Sequence, residues 1–397
     1  MRLHHKFLPS SREISSYSIW GYLPAAAVLA VVWMHSIAFA QTKAGEPLVL
    51  ETGEQIFKAG CIGCHGPGGK GQPQSTLGFE PPSTFPDFSD CAGSTGEKEF
   101  DWKATIHEGG HGRGFSPVMP SFSEALTNEQ IDKVVGYLRT LCSDPGWPPG
   151  ELNFPRAFST EKAFPESETV LTTAVNATGA PGVSPEITYE RRIGAKSQLE
   201  FSVPFGFQHQ DTGSWFGGVG DLVLGFKRVM AFSGKTGSIF SLQGEVNFPT
   251  GNASRGLGAG VTTFQTFGMI GQRLPAKLHA LDFVQTQFGA ALPTHTNDTP
   301  KNVYWNTAVG KTFAQNEGFG RIWTPMLEFL SSRDLVDRAK VNWDIVPQMQ
   351  VSLSKRQHIL ASVGVQFPAN NTMGRSTQVL FYVLWDWFDG GWREGWK

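Results

Sequence analysis

The eight residues from Lys58 to His65 read KAGCIGCH and place two thiols directly before an imidazole. In an exported protein this C-x-x-C-H pattern attaches haem covalently, with Cys61 and Cys64 forming the thioethers and His65 ligating the iron. A redox-active C-x-x-C pair would need a βαβ pattern around it, and a zinc site would need a second pair of ligands. The surrounding sequence has neither, so we predict one covalently bound haem c.

The second axial ligand of the iron must come from further along the chain. The segment ATIHEGGHGRGFSPVMPSF contains three candidates, His107, His111 and Met119. This segment resembles the class I cytochrome c family, in which a Met followed by Pro lies in a loop ahead of the C-terminal helix. Met119-Pro120, then Phe122 and LTNEQIDKVVGYLRTL, carry the resemblance. It implies Met119 as the distal ligand, which gives a higher reduction potential than a second His.

An iron with both axial positions filled has no open site for a substrate. We therefore expect this domain to transfer electrons rather than to convert a substrate as an enzyme. Thr52 and Thr127 each begin a T-x-x-Q capping box, one ahead of the helix that carries Cys61 and one ahead of the C-terminal helix. The resemblance places Phe57 and Tyr137 where these two helices cross.

Two further cysteines, Cys91 and Cys142, belong to no C-x-x-C-H pattern. Leftover cysteines in one small domain of an exported protein most simply form a disulfide. Such a bridge would join the Pro/Gly-rich insert that follows the haem motif to the end of the last helix.

The first 40 residues have the organisation of a secretory signal peptide. Arg2, Lys6 and Arg12 precede an apolar run at 20–34, and an A-x-A pattern ends at Ala40. An uncleaved membrane-anchoring helix is the alternative. Export predicts that the mature chain lies in the bacterial envelope, where haem attachment and disulfides are both expected.

Charge and cysteine content divide the mature chain in two. Residues 41–150 carry 8 Lys/Arg and 14 Asp/Glu, whereas residues 151–397 carry 22 and 20, and all four cysteines lie in the first part. We predict a cytochrome c domain over 41–142, a Pro-rich linker over 143–167 and a second domain over 168–390. The acidic first domain favours basic periplasmic redox proteins as partners, and nothing points to nucleic acid.

The second domain alternates strictly between apolar and polar residues, as in LEFSVPFGF at 199–207. Twelve such segments predict antiparallel β-strands with one apolar and one polar face. A soluble β-sandwich is the alternative. Strands of about ten residues and aromatic residues at the ends of the apolar faces favour a transmembrane barrel in outer-membrane lipid. The aromatic residues are Trp305, Trp323, Trp343, Trp385 and Trp387.

The connections between these strands alternate in length. Those at 208–218, 249–259 and 292–300 are long and polar, and those at 192–196, 272–276 and 354–356 are short. Outer-membrane barrels have short periplasmic turns and longer external loops. The cytochrome domain is therefore expected at the periplasmic mouth, and it is too wide to enter a barrel of twelve strands.

Charged residues on the polar faces would point into the barrel lumen. They form an ion-pair network on one interpretation and a selectivity filter on another. These residues are Glu186, Glu200, Asp221, Lys227, Glu245, Glu328 and Asp344. The segment GVGDLVLGFKR also resembles a repeated element of outer-membrane barrels associated with uptake of aromatic compounds.

A cytochrome c domain joined to such a barrel resembles the porin–cytochrome fusions of the iron-oxidising outer-membrane type. The resemblance implies electron transfer between the periplasm and a small donor or acceptor reached through the barrel. One alternative is a transport channel for a small molecule, for example an aromatic one, with the haem as sensor. The other is an anchored periplasmic electron carrier, which a plugged lumen would favour.

Overall fold

A computed structural model describes residues 50–73, 77–78, 85–209, 213–297, 299–314 and 321–386. The predicted signal peptide, residues 1–40, and Trp387 of the predicted aromatic girdle lie outside the described residues. The helices and the strands described below belong to one compact unit, 51–397. Within the described ranges, no helix has the length and apolar character required to cross a membrane.

Short helices make up the first part of the described chain. In order they are α1 (Gly53–Ile56), a π-helical turn (Phe57–Cys61), α2 (Ile62–His65), α3 (Cys91–Ser94), α4 (Glu99–Glu108) and α5 (Asn128–Leu141). Both predicted capping boxes are present, because Thr52 and Thr127 each exchange hydrogen bonds with the Gln three residues later. These caps satisfy N–H groups that a helix start leaves without partners.

The first and last helices cross at close range. A Cβ atom at Gly53 would lie 2.0 Å from the carbonyl oxygen of Lys133, so only glycine allows α1 this near to α5. The rings of Phe57 and Tyr137 then meet with their centroids 5.4 Å apart. The buried stripe of α5 completes this core. It consists of Ile131, Val134, Val135 and Leu138.

The rest of the chain forms one antiparallel sheet. Its strands are β1 (Glu168–Asn176), β2 (Gly182–Ile193), β3 (Ser197–His209), β4 (Trp215–Val219), β5 (Leu222–Ser233), β6 (Ser238–Phe248), β7 (Thr263–Arg273), β8 (Phe283–Pro293), β9 (Asn302–Gly310), β10 (Phe313–Ala314), β11 (Ile322–Asp334), β12 (Asn342–Ser352), β13 (Ile359–Pro368) and β14 (Gln378–Asp386). Twelve of them close a ring, because β14 pairs with β1 and β9 pairs with β11. Of the two short strands, β4 pairs with β3 and β10 pairs with β11. The predicted twelve-stranded antiparallel barrel is confirmed.

The barrel carries its apolar side chains on the outside. On β3, Leu199 and Phe201 are 43% and 44% exposed, while their neighbours Gln198 and Glu200 are buried. In a β-sandwich the apolar faces of two sheets would instead pack against each other. The β-sandwich alternative is therefore excluded, and the polar faces surround a lumen.

Residues 153–167, which we call the plug, lie inside this lumen. Phe154 and Phe164 are buried in an apolar cluster with side chains of the barrel wall, among them Ile239 and Met269. Polar wall side chains bind the plug backbone: Ser241 Oγ donates to the Ala163 carbonyl oxygen at 2.5 Å. The segment that we predicted as a linker thus fills the barrel as well as joining the two domains.

Candidate cofactor site

The helical domain encloses a cavity of about 510 Å³. Cys61, Cys64, His65 and Met119 all line it, together with several aromatic side chains. Cys61 and Cys64 are free thiols, and Cys64 is exposed at the cavity. The fold therefore brings the four residues predicted to hold haem c to one place, although Met119 lies 54 residues beyond His65 in the chain.

The surroundings of His65 suit an imidazole that ligates a metal. Its ring stacks on Phe85 and meets Phe88 at an angle, each with centroids 5.1 Å apart. Burial lowers the pKa of His65 to about 4, so the imidazole is neutral at pH 7 and keeps a lone pair for coordination. Its Nδ1 is buried without a hydrogen-bond partner among the described residues. Burial also raises the pKa of the Cys61 thiol to about 11.

Met119 is positioned by the loop that follows α4. The N–H of Gly110 donates to the Met119 carbonyl oxygen at 3.1 Å, and the N–H of Phe122 donates to the Ile106 carbonyl oxygen at 3.0 Å. A Cβ at Gly110 would lie 2.1 Å from the Ser116 carbonyl oxygen, so a glycine is required there. This loop holds the thioether at the cavity.

The other two candidates for the sixth ligand lie elsewhere. His107 contacts the carboxylate of Glu108 at 2.9 Å, and His111 is exposed. Neither lines the cavity. Among the three candidates only Met119 does, and its role as axial ligand remains a prediction. The residues present fit a haem c, which supplies one-electron redox chemistry when bound.

Two arginines that line this cavity were not predicted from the sequence. Arg113 is buried and pairs with Asp101. Arg356 reaches the cavity from the turn between β12 and β13, where its Nε and Nη2 donate to the Gly114 carbonyl oxygen at 3.2 and 3.0 Å. Cations are the natural partners of the propionates of a haem. Arg356 lies 242 residues from Gly114, so no local pattern could have revealed it.

A disulfide joins Cys91 to Cys142 with their Cα atoms 5.1 Å apart. It connects the start of α3 to the residue that ends α5. Close by, Arg139 lies 4.2 Å above the Trp102 ring, and its Nη1 donates to the Ser94 carbonyl oxygen at 2.7 Å. The bridge and the arginine hold α3 and α4 against α5.

Comparison with known proteins bears on the two parts separately. Residues 50–142 match the family model described as cytochrome c. No curated protein matches the chain. Among solved structures, the KdgM porin in complex with disordered oligogalacturonate is 10% identical and covers 55% of this chain and 98% of its own, with a TM-score of 0.36. The NanC porin is 7% identical over the same 55% and 98%, with a TM-score of 0.39.

The similarity to these porins is low, and the architecture of the barrel follows from its own strand pairing. The resemblance to iron-oxidising fusions stays one of architecture. The cytochrome c match implies covalently bound haem c for the helical domain, in agreement with the cavity described above. The chain therefore joins a cytochrome c domain to a closed, twelve-stranded antiparallel β-barrel.

Proposed function

We propose that this chain is an electron-transfer protein whose barrel lies in the outer membrane and holds a cytochrome at one of its ends. The observation that carries the proposal is the plug. Because the lumen is filled by residues 153–167, the barrel acts as an anchor, and the cytochrome exchanges electrons with partners on its own side of the membrane. This is the anchored-carrier alternative rather than exchange through the barrel.

Contacts between the cytochrome and the barrel support this arrangement. Besides Arg356, the imidazole Nε2 of His358 lies 3.5 Å from the carboxylate of Glu97. Arg192, near the end of β2, places its guanidinium 4.7 Å from the ring of Trp147, in the segment that follows the cytochrome. Arg356 and His358 belong to the short turn at 353–358, and Arg192 directly precedes the short turn at 194–196. Short turns face the periplasm in outer-membrane barrels, so we infer that the cytochrome faces the periplasm.

The outer surface of the barrel supports a membrane location. Large apolar side chains are exposed on strand after strand, including Leu224 and Phe226 on β5, Phe288 on β8 and Phe381 on β14. A soluble protein rarely exposes so large an apolar surface. Burial of this band in lipid removes these apolar side chains from contact with water.

Glu328 on β11 fastens the plug to the wall. Its carboxylate accepts hydrogen bonds from the N–H groups of Phe158, Ser159 and Thr160 at 2.8, 3.1 and 2.8 Å, and another from the Thr160 hydroxyl at 2.8 Å. From the next strand, Gln348 Nε2 donates to the same carboxylate at 2.6 Å. A buried carboxylate with this many donors is a strong attachment, because removing it would leave several buried N–H groups without partners.

Electron exchange through the lumen is the second candidate function, and one observation favours it. A polar cavity of about 410 Å³ lies at the long-loop side of the plug and is lined by Glu161, Glu245, Tyr304 and Asp344, among others. A small donor or acceptor that enters from outside could bind there. The plug would then have to conduct electrons or move aside.

The experiment uses the haem-loaded, full-length protein in sealed vesicles with the cytochrome on a known side. A small, membrane-impermeant reductant is added to one side and the haem absorption is followed. The anchored-carrier proposal expects rapid reduction only from the cytochrome's own side. Rapid reduction from the opposite side would overturn it and support exchange through the lumen. Detergent-solubilised protein, in which both sides are accessible, gives the reference for complete reduction.

A further inference from the structure

Three carboxylates converge where the plug meets the barrel wall. Glu161 of the plug, Glu190 of β2 and Glu200 of β3 each place an oxygen within 4.8 Å of the others. Glu190 is fully buried and Glu200 is 7% exposed. Carboxylates at this separation repel one another when ionised, so the group needs protons or a cation to remain buried.

The cationic side chains nearby do not balance this charge. Arg156 is shared among three carboxylates, lying 2.7 Å from Glu168, 2.8 Å from Glu190 and 3.7 Å from Glu161. Lys162 pairs with Glu166 and Glu168, and Lys227 is the third cation. Five carboxylates share Arg156 and Lys227, with a smaller contribution from Lys162, which leaves an excess of negative charge if all are ionised. The five are Glu161, Glu186, Glu190, Glu200 and Glu245.

Unused oxygen atoms lie in the same cluster. Glu161 Oε2 and Glu190 Oε2 are buried without hydrogen-bond partners in the described part of the chain, and so is Gln243 Oε1. Gln243 is only 2% exposed, and its Nε2 donates to Glu200 at 3.0 Å and to Glu245 at 2.7 Å. The amide group of Gln243 therefore lies beside Glu200, and its oxygen has no donor among the described residues. Buried acceptors without donors are costly, and a metal ion would satisfy several of them at once.

We propose that Glu161, Glu190 and Glu200, with the amide oxygen of Gln243, bind a hard divalent cation of the Ca²⁺, Mg²⁺ or Mn²⁺ class. Such cations take oxygen ligands from carboxylates and amides, and these are the ligand types that the four residues offer. The ion would neutralise part of the excess charge. It would also link the plug to two adjacent strands, β2 and β3. The inference concerns the barrel lumen and does not depend on electron transfer by the cytochrome.

The test is a Mn²⁺ titration of the haem-loaded, full-length protein after removal of divalent ions with a chelator. Free Mn²⁺ is counted from its EPR signal. We expect one tightly held ion per chain, and about tenfold or greater weakening of binding in Glu200→Gln, because affinity depends on the number of charged ligands. Asp344→Asn is the matched control: it removes a luminal carboxylate that pairs with Arg375 outside the cluster, and Mn²⁺ binding should be unchanged.

Three results would overturn the proposal. The first is no Mn²⁺ uptake, which would mean that protons neutralise the cluster. The second is unchanged affinity in Glu200→Gln, and the third is equal weakening in Asp344→Asn. Glu161→Gln tests the same site from the plug, without altering a strand, in case Glu200→Gln fails to fold.

Discussion

At the scale of single residues, the cavity decides what His65 and Met119 can do. The neutral imidazole and the thioether are both soft enough to ligate iron without bringing charge into an apolar pocket. Met119 is held there by the Gly110 hydrogen bond, so its position does not depend on the side chain itself. Substitutions of this residue therefore change the chemistry at the iron with little change in the loop.

Met119→His should lower the reduction potential of the haem. A second imidazole stabilises the oxidised iron relative to a thioether, and axial ligands control a range of roughly 0.8 V. Spectroelectrochemical titration of the purified protein measures the potential, and loss of the methionine–iron charge-transfer band reports the exchange of ligand. His111→Gln, which changes an exposed residue, serves as the control. An unchanged potential in Met119→His would rule out Met119 as the axial ligand.

Lys98 should make the stability of the cytochrome domain depend on pH. Burial, with the nearby Lys162 adding to it, lowers the pKa of Lys98 to about 8 from an ordinary value of 10.5. Between these two values the unfolded chain binds more protons than the folded one, so the free energy of unfolding rises with pH across this window. Lys98→Met should therefore stabilise the domain most below pH 8 and hardly at all above pH 10.5.

The measurement is denaturant unfolding followed by the circular dichroism of the haem at pH 7, 9 and 11. Lys103→Met is the comparison, because Lys103 forms a partly exposed pair with Asp132 at 2.7 Å. If the advantage of Lys98→Met over wild type is the same at all three pH values, the shift in the pKa of Lys98 is not what controls stability here.

At the scale of elements, a disulfide and the side chains of the barrel wall hold irregular segments in place. The Cys91–Cys142 disulfide closes a loop of 51 residues that contains α3, α4 and the Met119 loop. The plug has no regular secondary structure, and its backbone polar groups are satisfied by side chains of the wall instead. Buried irregular backbone survives only when partners of this kind exist.

Removing the disulfide with the paired substitution Cys91→Ala and Cys142→Ala should lower the free energy of unfolding of the cytochrome domain by about 4 kcal/mol. The figure follows from the loop-closure entropy that the bridge removes from the unfolded chain. Denaturant unfolding of the haem-loaded protein checks it. A loss below about 1 kcal/mol would show that packing of α3 on α5 is sufficient without the bridge.

Glu328→Ala should loosen the plug. Each buried N–H left without its acceptor costs about 1–3 kcal/mol, and three lose their acceptor together. Ion conductance across planar bilayers measures the opening, which should become larger or more frequent than in wild type. Gln378→Ala removes a luminal side chain that hydrogen-bonds Asn176 near the long loops, and it should leave conductance unchanged. Equal conductance in Glu328→Ala and wild type would show that the plug does not depend on this carboxylate.

At the scale of the whole molecule, a turn of the barrel reaches the cofactor cavity of the other domain. The guanidinium of Arg356 lies 4.4 Å from the Phe115 ring and also binds the Gly114 carbonyl oxygen. The loop that carries Met119 is thus attached to the barrel mouth. On the anchored-carrier proposal, such an attachment keeps the cytochrome in one orientation toward its partners.

Arg356→Ala should weaken this attachment by about 2–3 kcal/mol, from the loss of charged hydrogen bonds and a cation–π contact. Hydrogen exchange of residues 114–118, followed by mass spectrometry, should become faster. Lys355→Ala, which changes the exposed neighbour in the same turn, should leave exchange as in wild type. Unaltered exchange in Arg356→Ala would mean that other contacts fix the loop.

The features that could be predicted from the sequence are local in origin. Spacing within KAGCIGCH indicates covalent haem, two capping boxes predict where helices begin, and period-two alternation predicts strands with one apolar face. Each of these signals depends on residues a few positions apart. The barrel could be predicted for that reason, since alternation, strand length and aromatic residues at the strand ends are each visible within a single strand.

Contacts between distant parts of the chain could not be predicted in this way. The Pro-rich segment 153–167 has no helical or strand periodicity. Its position in the lumen depends on hydrogen-bond acceptors such as Glu328, some 170 residues further along the chain. The cluster of Glu161 with Glu190 and Glu200, and the reach of Arg356 to the cavity, arise in the same way. Contacts of this kind follow from how the barrel closes around the chain, which no short stretch of sequence encodes.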